Sequence, residues 1–218
     1  MDPTEWAGVM RDGRDLYTPN GVPGVSVYGE DLRTVGGVEY RRWDPFRSKL
    51  CAFLLRGAPA TLLRGTRSVL YLGGAHGTTA SHLADLLPAA PIFVVEKSPT
   101  SFGALLTLSR RRTNLFPMLA DAQLPERYSA DVGRVDFLYQ DVAQRNQVDI
   151  FRENVATCLR PEGTALLMLK IASVTQRRPP AAVVRQAKEE LRAAGLRLHR
   201  EAVLAPFSRE HVALLVGR

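Results

Sequence analysis

The chain is short of cysteine, of lysine and of long apolar runs, and each shortage removes a class of protein. Only Cys51 and Cys158 occur in 218 residues, and neither has a metal-type spacing to the four histidines. A disulfide-stapled secreted fold and a zinc module are therefore both disfavoured, and the two cysteines read as small buried hydrophobes. His76 and His82 lie close together, but no cysteine or carboxylate ligand set accompanies them, so no metal is expected and His82 reads as helix packing. No apolar run approaches the roughly 18 residues of a membrane span. "MDPTEWAGVMRDGRD" has an acidic start and no apolar core of signal-peptide length, so the expected location is a reducing cytoplasm. No internal repeat or low-complexity segment is evident.

What is present points elsewhere. The length suits one well-buried α/β core with a small appendage. A net charge of +7 and a pI near 9.8 favour polyanionic partners. Arginines bunch at Arg41 and Arg42, at Arg110 to Arg112, and at Arg177 and Arg178, which tilts the expectation toward nucleic acid over merely solvated faces.

Residues 1–56 contain "VSVYGEDLRTVGGVEYRRWD", two β-prone runs around Gly36 and Gly37 that predict a hairpin. Asp44 and Pro45 then punctuate, and "PFRSKLCAFLL" spaces Phe46, Leu50, Phe53 and Leu54 as on a helix with proline in its first turn. A small β subdomain with its linking helix is thus expected over 1–56, and the main domain over 57–218. From Ser68 onward the apolar runs "SVLYLG", "PIFVVE", "LFPML", "VDFLYQD" and "GTALLMLK" alternate with helical or polar segments, the pattern of a parallel sheet covered on both faces. A helix opened by prolines and closed by Gly195 precedes "LRLHREAVLAP" and "REHVALLVGR". These two runs are too close for a crossover, so the last strand should be antiparallel, at or near the sheet end.

In "VLYLGGAHGTTASH" a strand runs into a glycine turn that opens a helix, the place where open α/β sheets bind ligands. Gly73-Gly74-Ala75-His76-Gly77 reads G-x-A-x-G, which departs from the dinucleotide G-x-G-x-x-G and lies closer to the G-x-G-x-G of S-adenosylmethionine turns. The next strand ends at Glu96, placed to accept from both ribose hydroxyls in either kind of site. The third is followed by Asp121-Ala122, suited to an adenine amino group but also turn-like, and the fourth ends in Asp141-Val142-Ala143-Gln144. Three strand-end carboxylates suit a cationic sulfonium and repel a pyrophosphate.

Only four of the 29 lysines and arginines are lysine. Lysine can lose its proton when desolvated and arginine cannot, so Lys170, ending "GTALLMLK" at the same sheet edge as Asp141, is a candidate proton-handling residue. Lys49 reaches that edge only if the appendage folds back.

The stretches "SVYGEDL", "GVEYRRWDPFRSKL", "VLYLGGAHGTTASH", "VVEKSP", "RRRTNLFPMLADAQLP", "DVAQ" and "FSREHVALLVG" together resemble the fibrillarin family, in particular the archaeal fibrillarin-like RNA 2′-O-methyltransferases. The resemblance runs from about Leu16 to the C-terminus. It implies a Rossmann-like class I methyltransferase fold, with a seven-stranded, mostly parallel sheet whose last strand is antiparallel and a small N-terminal β subdomain. It implies methyl transfer from S-adenosylmethionine to ribose 2′-hydroxyls of ribosomal or transfer RNA, directed by C/D box guide RNA. Cofactor contacts then fall on Gly73, Gly77, Thr78, Thr79, Glu96, Lys97, Asp121, Ala122, Asp141, Val142, Ala143 and Gln144. A catalytic constellation falls on Lys49, Asp141, Lys170 and His211, with Lys170 expected to be held by Asp141. The implied partners are guide and target RNA, a Nop-family scaffold protein and a kink-turn-binding protein of the ribosomal type, with no membrane.

Three positions depart from the family pattern. Gly74, Ala75 and His76 stand where Ala, Ala and Ser are frequent, Lys97 stands where an aromatic residue is common, and "IASVTQRRPP" lacks a familiar step after Lys170. Two rival readings stay open at this point. One is a noncatalytic RNA-binding module on the same fold, disfavoured by the intact constellation; the other is an NAD-dependent oxidoreductase, disfavoured by the missing fingerprint and the acidic pocket.

Overall fold

The computed structural model describes residues 1–174 and 177–218. Five short antiparallel strands open the chain: β1 (Asp2–Pro3), β2 (Met10–Asp12), β3 (Asp15–Pro19), β4 (Leu32–Val35) and β5 (Val38–Trp43), in the order β1-β2-β3-β5-β4. The expected hairpin is β4–β5, with Val35 opposite Val38 and Gly36 and Gly37 at φ +59° and +81°. Two successive left-handed residues are what a two-residue type I′ turn demands. Strands β1 and β2 are too short to alternate visibly in sequence, and β3 buries Leu16, Tyr17 and Thr18 in succession, which breaks the alternation.

Helix α1 (Lys49–Leu55) begins later than its apolar spacing suggested. The Asp44 carbonyl accepts from the N–H groups of Arg47 and Ser48, which winds residues 44–47 into a separate turn, and the Ser48 hydroxyl caps the helix by accepting from Cys51 N–H. Pro45 thus belongs to the turn, and Phe46 projects into solvent instead of joining the helix core.

The main sheet comprises β6 (Val69–Leu72), β7 (Ile92–Glu96), β8 (Leu115–Leu119), β9 (Val135–Gln140), β10 (Leu159–Lys170), β11 (Arg197–Val203) and β12 (His211–Gly217), ordered β11-β12-β10-β9-β6-β7-β8. Its helices are α2 (Thr78–Leu86), α3 (Pro99–Ser109), α4 (Ser129–Val132), α5 (Gln147–Cys158), α6 (Ile171–Val174) and α7 (Pro180–Ala193). Strands β6 to β10 are mutually parallel, and β12 is antiparallel to both β10 and β11, between which it inserts. One apolar layer gathers Leu70, Leu138, Phe151, Leu167 and Leu214; the other gathers Tyr71, Phe137 and Met168 together with Trp6, Leu16, Trp43 and Phe53. The N-terminal strands, α1 and the main sheet therefore share a continuous interior, which is how Lys49 comes to the sheet edge. Both cysteines are free and buried, with the Cys51 thiol donating to the Trp43 carbonyl at 3.0 Å. No helix among the described residues is long and apolar enough to cross a membrane.

Two of the arginine clusters are less superficial than their sequence suggested. Arg41 is fully buried, 2.7 Å from Glu30 and 3.1 Å from Asp85, and it donates to Ser81 Oγ at 2.9 Å. Arg112, also buried, grips Asp85 with two bonds of 2.9 and 3.0 Å. Beside them His82 contacts Thr18 Oγ1 at 2.7 Å and the Tyr28 hydroxyl at 2.9 Å and stacks on Trp43. Arg42 pairs with Asp15 at the surface. One member of each of these two clusters is thus a structural cation, and His82 fastens α2 to the N-terminal sheet.

Candidate active site

The carboxyl ends of β6, β7, β9 and β10 meet around the glycine turn. At Gly73, φ is +84° and a Cβ would lie 2.5 Å from the Asp141 carbonyl oxygen, so only glycine lets the turn approach the end of β9. A Cβ on Gly74 would lie 2.1 Å from Val94 Cγ1, which accounts for glycine where alanine is frequent. Ala75 occupies the left-handed region at φ +46°, a strain of about 1–2 kcal/mol, and its N–H donates to Glu96 Oε2 at 2.8 Å.

Two lobes adjoin at Gly73, Ala75, Asp141 and Ala143. The first, about 290 Å³, is also lined by Val95, Glu96, Lys97, Ala120, Ala122, Val142 and Gln144. The second, about 270 Å³, adds Arg47, Lys49, Tyr71, Gly74, His76, Thr78, Thr79, Lys170 and His211. A larger cavity of about 660 Å³ lies between α7 and the β11–β12 hairpin and shares only His211 with these lobes.

In the second lobe Lys49 Nζ sits 2.7 Å from Asp141 Oδ2, so Lys49 makes the contact expected of Lys170. The reason is that α1 folds back over the sheet edge. Burial pushes the Asp141 carboxyl above its ordinary value, opposed by the charges of Lys49 and Lys170. Lys170 is held through its backbone: its N–H donates to Gln147 Oε1 at 2.8 Å, and its carbonyl accepts from Gln147 Nε2 at 3.0 Å. Gln147 is fully buried and in turn receives Gln140 Nε2 on its carbonyl at 2.7 Å. His211 stands opposite Lys170 across β10 and β12, its Nδ1 2.8 Å from Ser208 Oγ. Burial, with Lys49 and Lys170 adding to it, pushes its imidazole down to about 3, so His211 is neutral near pH 7.

Most sequence-predicted site residues converge here, and two stand apart. Gly77 caps α2 beneath the turn, where a Cβ would meet Leu108 at 2.3 Å, and it lines neither lobe. Asp121 spends its carboxylate on Gln123 N–H at 3.0 Å, a turn contact that lowers its pKa, and it too lines neither lobe. Thr78 and Thr79 line the second lobe and not the first, with Thr79 bonded to Ser48 Oγ at 2.9 Å. Arg47 and Tyr71 were not anticipated: Arg47 precedes the helix that carries Lys49, and Tyr71 was concealed inside an apolar strand run. Thr175 and Gln176 of "IASVTQRRPP" lie outside the described residues.

A sheet of this order, with one antiparallel strand and a glycine turn leading from the interior strand β6 into a helix, defines the class I S-adenosylmethionine-dependent methyltransferase fold. The fibrillarin family model matches residues 5–218. A fibrillarin-like rRNA/tRNA 2′-O-methyltransferase of Methanothermobacter thermautotrophicus is 39% identical, over 97% of this chain and 94% of that protein. The crystal structure of Aeropyrum pernix fibrillarin with natively bound S-adenosyl-L-methionine superposes with a TM-score of 0.86 at 40% identity, covering 93% of this chain and 88% of that one. A fibrillarin in complex with Nop5p superposes at 0.88 and 38% identity, covering 98% of both chains. The chain belongs to the fibrillarin family.

Proposed function

We propose that the chain transfers methyl groups from S-adenosylmethionine to ribose 2′-hydroxyls of ribosomal or transfer RNA, at nucleotides selected by a C/D box guide RNA. The observation that carries this reading is the meeting of two lobes at Asp141, one bearing Glu96 and the other Lys49, Lys170 and His211. The first lobe fits the cofactor by its donor set. Glu96 has one bond from backbone N–H on each oxygen, at 2.8 Å from Ala75 and 2.8 Å from Ser98, and each oxygen keeps a lone pair for a ribose hydroxyl. Glu96 and Asp141 together favour a cation over a pyrophosphate. Val95, Ala120, Ala122 and Val142 supply apolar wall for an adenine.

When bound, S-adenosylmethionine supplies an electrophilic methyl group on a sulfonium. A ribose hydroxyl is a weak nucleophile, so the residues of the second lobe chiefly align its oxygen and manage its proton. Lys170, fixed by Gln147, either takes that proton as a neutral amine or, as an ammonium, stabilises the developing alkoxide while the proton passes to water. Lys49 holds the Asp141 carboxylate at the junction, and neutral His211, anchored through Nδ1, keeps its other ring nitrogen for the ribose. A Nop-family scaffold, a kink-turn-binding ribosomal-type protein and guide RNA bring the target strand; the complex of a relative with Nop5p supports the first of these. Calorimetric titration tests the cofactor assignment. Saturable heat with S-adenosylmethionine and none with NAD is expected, and the reverse would overturn it.

A further inference from the structure

Phe46 is 68% exposed, more than any other large hydrophobic side chain described. Its backbone is tied into the turn before α1, where its N–H donates to Asp44 Oδ1 at 2.8 Å. Its ring meets Phe207 edge-on, with centroids 5.3 Å apart. Phe207 packs against the core on its other side, and its neighbour Ser208 holds His211. The two rings thus ride on the segments that bring Lys49 and His211 to the second lobe. Arg47, the next residue, lines that lobe, lies over the Tyr28 ring and makes no ion pair among the described residues.

We propose that Phe46, buttressed edge-on by Phe207, offers a stacking platform for a base of the target RNA beside the second lobe, with Arg47 on an adjoining phosphate. This rests on the RNA methyltransferase reading above. Aromatic faces recognise splayed nucleotides, and they do so without preference because every base has a π-face. An enzyme that leaves sequence choice to a guide needs a contact of that kind. Arg47, with no ion pair among the described residues, matches a phosphate.

The test uses the assembled particle with guide RNA and a target strand carrying 2-aminopurine beside the methylated nucleotide. Fluorescence should be quenched on loading with wild-type chain. With Phe46→Ala the quench should be lost and KM for target RNA should rise about tenfold, in keeping with the stacking of one base. Cofactor affinity and co-elution with the scaffold should be unchanged, and Phe46→Trp should restore both quench and KM. Wild-type KM and quench in Phe46→Ala would overturn the platform, as would loss of scaffold co-elution, which would make the rings a protein interface. Because quenching is read without turnover, a particle that quenches yet transfers no methyl group would overturn the methyltransferase reading and leave the platform standing.

Discussion

Helix α2 separates two polar clusters built from the same residue types. Along one side, His82 has both ring nitrogens engaged, Arg41 meets Glu30, Asp85 and Ser81, and Arg112 closes on Asp85. At its N-terminus, Thr78 and Thr79 face a lobe where His211 has one nitrogen engaged and Arg47 has no ion pair among the described residues. The first cluster is buried, its charges facing one another, and it fixes how the N-terminal sheet sits on α2. The second is half-open, with donors in excess of the acceptors the chain supplies. Satisfaction, more than residue type or burial, separates a structural charge from one awaiting a ligand.

The sharpest way to break this distinction is Lys170→Ala. Turnover on guide-matched RNA should fall by about 10²–10⁴-fold, with little change in thermal midpoint or cofactor affinity. A loss of stability with turnover retained would put Lys170 in the structural class. The opposite pattern is expected of Asp85→Ala, which strands Arg112 and leaves Arg41 only Glu30 as a carboxylate partner: urea denaturation should report a loss of about 3–5 kcal/mol, while the folded fraction keeps its activity.

Smaller effects sharpen the boundary. Gly74→Ala drives a methyl group into Val94 and should destabilise by about 1–3 kcal/mol, with Val94→Ala restoring part of the loss. Both His82 and His211 are held below the ordinary value of 6.5 by burial. As pH falls through that value the unfolded chain takes up protons that the fold refuses, so stability is full above it and declines in acid. Thermal midpoints followed from about pH 7 to about pH 4 should drop, and His211→Gln should flatten the slope modestly. An unchanged slope would mean that His211 takes up its proton as readily in the fold as in the unfolded chain.

Much of this was legible from local signals. Continuous apolar runs marked β6 to β10, Gly36-Gly37 marked the hairpin, and the short gap after Val203 marked the antiparallel β12. Strands β1 and β2 escaped because two or three residues carry no periodicity, and β3 escaped because its buried Leu16, Tyr17 and Thr18 run consecutively without alternating. The residues of the site were readable as strand ends, but their pairing was not. Asp141 took Lys49 because a helix remote in sequence folds over the edge, and Asp121 turned to its own loop because Gln123 N–H lay within reach. Arg41 and Arg47 look alike in sequence. Only the packing of α2 shows that one is spent and the other is not.

The most direct measurement is methyl transfer by the assembled particle to two guide-matched targets that differ only at the selected nucleotide, one with ribose and the other with 2′-deoxyribose. Labelled S-adenosylmethionine should mark the first and leave the second unmarked. Equal labelling of both, or of neither, would contradict ribose 2′-O-methylation by this chain.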